Sequence, residues 1–508
     1  MKDINQNTAS PQKQALIIGA GFAGLSAASF LAQKGWHVTV IEQHSMPGGR
    51  ARKFEAEGFT FDMGPSWYWM PDVFEKYFEK FGKKVSDYYQ LKRLDPSYRV
   101  YFDETYWDMP ANYKQLQDLL ESVEPGAAKA LDKFMDEAKY KYNVGVGKLV
   151  HKPGQSLFEF IDWEVISGVF KLDIFQSMKK HVARFFKHPY IQSIMEFPVL
   201  FLGALPGNTP ALYSLMNYAD IKGGTWYPEY GMYSIVNAMY QVALDQGVQF
   251  YFNEEVKHID VVNGVAKSVF AINKINGEQK TYEFDVLVGA GDYHHIETKL
   301  LDTKYQSYTK SYWDTRLMAP SSILYYVGLN KKLEGVTHHS LFFDTDFGVH
   351  GDEIYSNPAW PKNPLFYASV PSVTDPTVAP AGQENLFLLI PIAAGLTGDT
   401  EAVRDEYFNK IIARMENRWG QSIGDSIIYK KSFAVADFIS EYHSFKGNAY
   451  GLANTLMQTA ILKPSCRSKK VNNLYYTGQL TVPGPGVPPS LISGEVVAEL
   501  VNKNYNKK

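Results

Sequence analysis

Near its N-terminus the chain reads Leu16-Ile-Ile-Gly-Ala-Gly-Phe-Ala-Gly24. A short apolar run that leads into a Gly-x-Gly-x-x-Gly turn and an apolar helix is typical of a dinucleotide-binding β-α unit. Gly19 permits the tight turn, Gly21 lets the backbone approach a pyrophosphate, and Gly24 lets the helix pack closely on the sheet. The free N–H groups at the start of the helix favour phosphate oxygens. The stretch therefore predicts a bound dinucleotide.

The second strand of this unit is predicted at Val38-Thr-Val-Ile41, and Glu42 closes it. An acid at the end of the second strand accepts hydrogen bonds from a ribose diol. Because a carboxylate repels a ribose 2′-phosphate, Glu42 disfavours NADP. The choice between NAD and FAD depends on other parts of the chain.

Size and composition narrow the class of protein. The chain has 508 residues, which predicts two or three domains. Its 51 basic and 54 acidic residues give a formal net charge of −3, so no nucleic-acid partner is expected. Aromatic residues make up 15% of the chain, which suits either a large core or a long apolar tunnel.

Cysteine usage and hydrophobicity indicate the compartment. A single cysteine, Cys466, excludes an intrachain disulfide and a cysteine-based zinc or iron–sulfur site, and it fits a reducing environment. The first 14 residues are polar, so no secretory signal is expected. No run of about 18 apolar residues occurs, so no spanning helix is expected.

Elements that resemble the N-terminal unit recur far along the chain. A predicted strand at Phe284–Val288 leads into Gly289-Ala-Gly291, and another at Asn473–Thr477 leads into Gly478 and a closing helix from about Ser490 to Val501. Between them, alternating aromatic strands in residues 320–395 predict an antiparallel sheet. The dinucleotide domain is therefore expected to form from separated segments of the chain.

The chain resembles the FAD-dependent carotenoid desaturases of the bacterial phytoene desaturase type, within the glutathione-reductase-like and amine-oxidase-like flavoproteins. The resemblance extends over nearly the whole chain. The first stretch that carries it is the N-terminal set through Pro47–Ala51 with Gly58–Ser66, which the wider flavoprotein group shares. The other stretches are more specific, and they are His338-His339 with Phe342-Phe343, Asp375–Gly382, and Tyr476–Ser490 with Ser493-Gly494.

This resemblance implies FAD as the cofactor and assigns a contact to each matching residue. Gly19, Gly21 and Gly24 would hold the pyrophosphate, and Glu42 the adenosine ribose. The remaining implied contacts are Gly49 and Arg50 beside the pyrophosphate and flavin edge, Val256 at adenine, Gly478 at the phosphate and ribitol, and Gly486, Val487 and Pro488 along the isoalloxazine. No catalytic acid or base is identified, and no metal site is expected.

The implied fold class is α/β, with a Rossmann-like FAD-binding domain of the glutathione-reductase and amine-oxidase type and an α+β substrate domain. Residues 15–100, 225–300 and 440–508 are expected to form the FAD-binding domain. Residues 301–439 are expected to form the antiparallel-sheet substrate domain. Residues 101–224 are expected to form a mainly helical region that contacts substrate and membrane.

The implied activity is the introduction of C=C bonds into a C40 carotenoid, with phytoene to lycopene as the first choice. The alternative is a 3,4-desaturase that acts on 1′-hydroxylated γ-carotene-type intermediates. A carotenoid isomerase, a flavin amine oxidase and a lipid-binding escort of prenylated proteins are further alternatives. A quinone or oxygen is the expected electron acceptor.

A lipophilic substrate implies that the protein reaches a membrane surface. Residues Val165 to His188 combine apolar positions three or four apart with Lys and Arg, a pattern typical of a basic amphipathic helix in the interface. We therefore expect a cytoplasmic protein, peripheral on the inner membrane face. The pairs His294-His295 and His338-His339 do not predict a metal site, because adjacent histidines rarely point to one centre.

Overall fold

A computed structural model describes residues 12–156, 159 and 172–506 of the chain. In chain order the strands of these residues are β1 Gln14–Ile18, β2 His37–Ile41, β3 Lys53–Ala56, β4 Phe59–Asp62, β5 Leu91–Arg93, β6 Tyr98–Tyr101, β7 Tyr106–Met109, β8 Trp226–Pro228, β9 Gln249–Tyr251, β10 Glu254–Val262, β11 Val265–Asn273, β12 Gln279–Glu283, β13 Val286–Gly289, β14 Ser321–Leu329, β15 His339–Phe342, β16 Phe366–Ser369, β17 Glu384–Ile392, β18 Ile427–Phe433 and β19 Leu474–Tyr476. The α-helices of the same residues are α1 Phe22–Gln33, α2 Pro71–Glu79, α3 Tyr113–Val123, α4 Ala127–Gly145, α5 Met178–Phe185, α6 Pro189–Glu196, α7 Leu215–Tyr218, α8 Tyr233–Asp245, α9 Tyr293–His295, α10 Lys310–Asp314, α11 Phe347–Tyr355, α12 Glu401–Trp419, α13 Val435–Tyr442 and α14 Val487–Tyr505.

The first of the two large sheets is parallel and has five strands in the order β19-β13-β1-β2-β9. Its central strand is β1, in which Ile17 pairs with Val288 on one side and Val40 on the other. Ala15, Leu16 and Ile17 of β1 are buried, as expected for the central strand of a parallel sheet. The predicted α/β class is confirmed, and the sheet draws strands from all three predicted segments of the FAD-binding domain.

A seven-stranded sheet in the order β18-β14-β17-β16-β15-β6-β7 forms the second layer. The aromatic strands predicted in residues 320–395 lie in β14 to β17. One pair departs from the predicted antiparallel pattern, because β6 runs parallel to β15. No hairpin joins these two strands, so chain connectivity does not impose an antiparallel direction. The predicted domain division left residues 98–109 outside this sheet, whereas β6 and β7 form its edge.

The two faces of the seven-stranded sheet pack against different cores. On β14 the ring of Tyr325 faces α12, where it lies 5.1 Å from the ring of Phe408. Its neighbours Leu324 and Tyr326 point to the opposite face and join the core that contains α1 and the N-terminal residues. Alternation along the strand thus separates a structural face from a face directed toward the first sheet.

Helix α14 closes the chain against α1. It begins and ends beyond the predicted limits of Ser490 and Val501, and it is anchored where the Ser26 hydroxyl donates to the Leu491 carbonyl at 2.7 Å. A Cβ added at Gly494 would lie 2.4 Å from the Ala23 carbonyl oxygen and 2.6 Å from the Ser26 Cβ. The two helices therefore cross at a distance that only glycine allows at position 494.

The prediction of one amphipathic helix over Val165–His188 is wrong in the part that the structure describes. Residues 160–171 lie outside the described residues, residues 172–177 are not helical, and the helical part is only α5, which ends at Phe185. The apolar residues Met178, Val182 and Phe186 are buried in the protein core. Among the described residues no helix has both the length and the apolar character needed to cross a bilayer.

We expect Gly494→Ala to lower the free energy of unfolding by about 2 kcal/mol, because an extra methyl group in a packed interface forces the helices apart. Urea unfolding followed by circular dichroism measures this change. Gly207→Ala is the matched control, since a Cβ there would meet no atom within 4 Å. An unchanged urea midpoint for Gly494→Ala would contradict this expectation, because it would show that α1 and α14 accommodate the methyl group without loss of stability.

Candidate active site

A cavity of about 410 Å³ runs from the glycine-rich turn after β1 to the seven-stranded sheet. At one end it is bounded by the turn, by the end of β2 and by the first residues of α14. At the other end it is bounded by the loop that follows β4 and by side chains of β14, β16 and β17. The two sheets therefore enclose one continuous space rather than two separate pockets.

The glycine-rich turn has the geometry that the sequence predicts. Gly19 has a φ of +103°, which disfavours a side chain. A Cβ at Gly24 would lie 2.0 Å from the Gly19 carbonyl oxygen, so glycine is required for the helix to start so close to the turn. A Cβ at Gly21 would meet no atom within 4 Å, because this residue faces the cavity at the N-terminus of α1.

Glu42 lies at the end of β2, buried in the cavity wall. Its carboxylate accepts N–H groups from Ala20 at 2.7 Å and from His44 at 3.0 Å. Burial raises the pKa of Glu42, while these backbone N–H groups lower it. The carboxylate therefore stabilises the turn after β1 through the Ala20 N–H group. Each of its oxygens can accept a second hydrogen bond from a ligand in the cavity.

Arg50 is half-buried in the cavity wall, and its Nε is enclosed without a hydrogen-bond partner in the part of the chain that the structure describes. Its Nη2 donates to the Ser444 hydroxyl at 2.9 Å, and its guanidinium lies 5.3 Å from the centre of the Tyr442 ring. No carboxylate of the described residues forms an ion pair with it within 4.0 Å. Burial lowers the pKa of Arg50, and the charge of Asp292 opposes that shift. A cation held in this way fits the diphosphate of a dinucleotide.

The other residues singled out from the sequence line the same cavity. They are Gly49, Val256, Gly478, Gly486, Val487 and Pro488. Gly49 approaches Gly21 so closely that its Cβ would lie 3.4 Å from the Gly21 Cα. Gly486 is the N-cap of α14, so the positive end of that helix dipole faces the cavity. Their contacts with FAD stay predictions.

The sequence analysis did not single out the residues that hold Arg50. With its amide oriented to satisfy its neighbours, Gln479 accepts from the Nη2 and Nη1 of Arg50 at 3.0 and 3.2 Å. Gln479 directly follows Gly478, so its position in the motif was a usable signal. Tyr442 and Ser444 lie about 400 residues from Arg50 in the chain, and nothing in their local sequence indicates the contact.

The sheet end of the cavity is apolar and aromatic. Its wall includes Met63, Trp67, Trp69, Met70, Phe74, Met216, Met232, Leu324, Tyr367 and Leu389. None of the lining residues between Met63 and Phe74, or on β14, β16 and β17, carries a charge. The charged lining residues, such as Glu42, Arg50 and Asp292, belong to the nucleotide end. One end thus suits a diphosphate and the other a hydrocarbon.

The adjacent histidines His338 and His339 do not converge on a common centre. His338 and His339 bond to different partners, the Thr374 and Tyr367 hydroxyls, at 2.7 and 2.6 Å. Elsewhere Glu137, Asp173 and His181 bring three possible metal ligands together. The ammonium of Lys141 lies 2.9 Å from an Asp173 oxygen and 3.3 Å from the His181 Nε2, so a protein cation already occupies their centre.

The family model of the flavin containing amine oxidoreductases matches residues 22–502 of the chain. A carotenoid 3,4-desaturase of Haloarcula japonica is 41% identical over 95% of this chain and 97% of its own length. The chain belongs to the flavin amine oxidoreductase family and, within it, to the carotenoid desaturases. The predicted FAD-dependent oxidoreductase is therefore confirmed, and FAD is the cofactor of this carotenoid desaturase.

More distant relatives agree with this assignment. A ζ-carotene-forming phytoene desaturase of Myxococcus xanthus is 29% identical over 96% of this chain and 93% of its own length. The crystal structure of an oxidoreductase from Methanosarcina mazei superposes with a TM-score of 0.63 at 14% identity, covering 96% of this chain and all of that one. At 14% identity, the likeness to the Methanosarcina structure supports only the fold and not the activity.

We expect Arg50→Met to weaken FAD binding roughly 10- to 150-fold, because a hydrogen bond to a charged group contributes about 1.5–3 kcal/mol. Fluorescence titration of the FAD-depleted desaturase measures the dissociation constant. Arg316→Met is the control, since it removes a guanidinium that does not line the cavity. Equal affinities for Arg50→Met and the unaltered protein would exclude Arg50 as a diphosphate ligand.

Proposed function

We propose that this protein is a 3,4-desaturase of 1′-hydroxylated γ-carotene-type C40 carotenoids. The 41% identity to the Haloarcula 3,4-desaturase exceeds the 29% identity to the Myxococcus phytoene desaturase, and both matches extend over nearly the whole chain. This finding favours the alternative of the sequence analysis over its first choice. Conversion of phytoene to lycopene is the second candidate, supported by the resemblance to phytoene desaturases.

The observation that supports a hydrocarbon substrate, rather than an amine, is the uncharged wall at the sheet end of the cavity. An amine substrate carries an ammonium group, and a carboxylate in the cavity wall would be expected to stabilise that charge. Aromatic and methionine side chains instead offer dispersion contacts to a polyene and exclude water. Cys466, the one cysteine of the chain, is buried away from the cavity wall, as expected for a flavin that is not covalently bound.

The residues of the nucleotide end would hold the cofactor in a defined orientation. Arg50 and the turn at Gly21 would bind the diphosphate, and Glu42 would accept the ribose hydroxyls. The loop at Gly478 and the N-terminus of α14 would place the flavin between the two ends of the cavity. When bound, FAD supplies the hydride acceptor that the oxidation of a C–C single bond requires.

The apolar end would determine which bond of the carotenoid is oxidised. A hydrocarbon chain offers no polar group along most of its length, so position depends on cavity shape and depth. Ser66 and Tyr450 line the cavity and bring hydroxyl groups into otherwise apolar surroundings. A terminal substrate hydroxyl would add a polar anchor and would favour one end of the molecule. A quinone or oxygen would then reoxidise the cofactor.

We expect the FAD-loaded enzyme to desaturate a 1′-hydroxylated γ-carotene-type carotenoid in liposomes, with a red shift in absorbance and loss of two hydrogens from the product mass. The kcat/KM should exceed that for phytoene at least about tenfold, which corresponds to about 1.4 kcal/mol of differential transition-state binding. Turnover of phytoene alone would select the second candidate. A product of unchanged mass would indicate a carotenoid isomerase.

We also propose that the protein works at the cytoplasmic face of a membrane through an exposed apolar patch. The patch consists of Phe175, Val349 and Met457, which are 84%, 57% and 70% exposed. These residues come from three separate parts of the chain, and in each part a residue two positions away contacts the segment 205–213. We propose that the membrane surface contacts this patch, because the substrate is dissolved in the bilayer.

Three contacts bring the patch to that segment. Ser177, close to Phe175, forms a β-bridge with Pro210. A Cβ at Gly351, two residues from Val349, would lie 2.3 Å from the Leu205 side chain. The Tyr213 hydroxyl is hydrogen-bonded to Thr459 near Met457. The basic side chains Lys179, Lys180, Arg184 and Lys187 are exposed on and beside α5, where they favour anionic headgroups.

We expect Phe175→Asp and Met457→Asp each to lower the partition coefficient onto anionic liposomes about tenfold or more, because an apolar side chain gains about 1.5–3 kcal/mol on burial. Flotation of the purified enzyme with phosphatidylglycerol vesicles measures the bound fraction. Ile275→Asp is the matched control, since Ile275 is 78% exposed in the turn between β11 and β12. Equal losses in all three variants would place the contact elsewhere.

A further inference from the structure

Tyr367 stands out in the apolar end of the cavity because its hydroxyl is already paired with a base. It lies on β16 and lines the cavity, and its oxygen is 2.6 Å from Nδ1 of His339 on the neighbouring strand β15. Both side chains are buried, at 4% and 0% exposure. Tyr367 thus borders the space in which a polyene would lie, and His339, which does not line the cavity, is its hydrogen-bond partner.

The hydrogen bond between Tyr367 and His339 is short, at 2.6 Å, and its direction depends on the tautomer of the imidazole. With the imidazole proton on Nε2, the Tyr367 O–H donates and the ring presents its lone pair at Nδ1. Burial, together with the neighbouring His338, holds the pKa of His339 well below its ordinary value, so the ring is neutral in the resting enzyme.

The imidazole of His339 is fixed in this orientation. Its ring stacks on Trp67 at a centroid distance of 4.2 Å and an angle of 9°. Its backbone pairs with Ser369 in the β15–β16 register, two residues from Tyr367. Its Nε2 is buried and has no hydrogen-bond partner among the residues that the structure describes. The ring thus offers one aligned nitrogen, which is directed at Tyr367.

We propose that Tyr367 accepts the proton that leaves the substrate and passes its own proton to Nδ1 of His339. The proposal rests on the proposed function, since it concerns desaturation of a carotenoid by FAD. One C–H bond of the substrate breaks with both electrons, and this hydride passes to FAD. The C–H bond on the neighbouring carbon gives its electron pair to the new C=C bond. Its proton goes to the Tyr367 oxygen while the Tyr367 proton goes to His339.

A neutral relay suits a hydrocarbon site better than a carboxylate. An ionised acid in this apolar wall would cost several kcal/mol of desolvation in the resting enzyme. Tyr367 and His339 carry no charge until the substrate loses its hydride, and positive charge on the imidazole then arises together with the negative charge delivered to the cofactor. Tyr367 is therefore a catalytic residue in this proposal, and His339 is a positioning residue that receives the proton.

Single-turnover reduction of the FAD-loaded enzyme tests the role of Tyr367. Under anaerobic conditions, with whichever carotenoid reduces the unaltered enzyme, Tyr367→Phe should slow flavin reduction about 100-fold or more, the usual contribution of a general base. The solvent deuterium isotope effect on reduction should disappear, and the carotenoid Kd measured on the chemically reduced enzyme should stay unchanged. Tyr325→Phe is the matched control, because Tyr325 is buried on the opposite face of the same sheet.

Histidine substitutions test the second half of the relay. His339→Gln should slow flavin reduction about tenfold or more, while His338→Gln, the adjacent buried histidine that bonds to Thr374, should leave the solvent isotope effect intact. In the ¹⁵N-histidine spectrum of the full-length FAD-loaded enzyme, the His339 signals should report an unprotonated, hydrogen-bonded Nδ1. Tyr367→Phe should shift that Nδ1 signal.

Each contrary outcome has a distinct meaning. If Tyr367→Phe raised only the carotenoid Kd, the hydroxyl would bind substrate and the relay would be excluded. A proton on Nδ1 in the spectrum would reverse the hydrogen bond and also overturn the proposal. Failure of the proposed function would appear differently, because the hydroxylated carotenoid would not reduce the unaltered enzyme although the spectrum would still show the Tyr367–His339 bond.

Discussion

A guanidinium at the wall of a cavity, which forms no ion pair with a carboxylate of the described residues, is the constraint on which the rest of this molecule depends. Arg50 is held by neutral groups of distant segments, among them Ser444 and Gln479, and by the ring of Tyr442. A charge in such surroundings is stable only when a counter-charge completes its coordination. In the proposed site the diphosphate of FAD would supply that charge, so cofactor binding would also help to hold the N-terminal and C-terminal segments together.

The first sheet was predictable because its signals are local. Short local patterns predicted a strand at Leu16–Ile18, a glycine turn after it, and a second strand that ends before Glu42. The structure has β1, α1 and β2 at those places. Gly21 and Gly24 even showed the predicted contrast between an open and a crowded Cβ position. Local rules suffice here because strand, turn and helix follow one another without an intervening segment.

Other parts were not predictable because they depend on residues far apart in the chain. The parallel pair β6–β15 joins positions more than 230 residues apart, and its direction has no local signal. The pairing of Tyr367 with His339 likewise depends on the register of β15 against β16. The segment around α5 was misjudged for a related reason, since an apolar stripe does not reveal whether protein or lipid covers it. In the structure the core covers Met178 and Val182.

The position of α14 has a consequence for biosynthesis. This helix has its N-terminus at the cavity and packs against α1 through Gly494, yet it lies more than 450 residues after α1 in the chain. A nascent chain therefore exposes the apolar surface of α1 until α14 has been synthesised. The nucleotide domain completes its fold only after α14 has left the ribosome, and chaperones would have to shield its apolar surfaces until then.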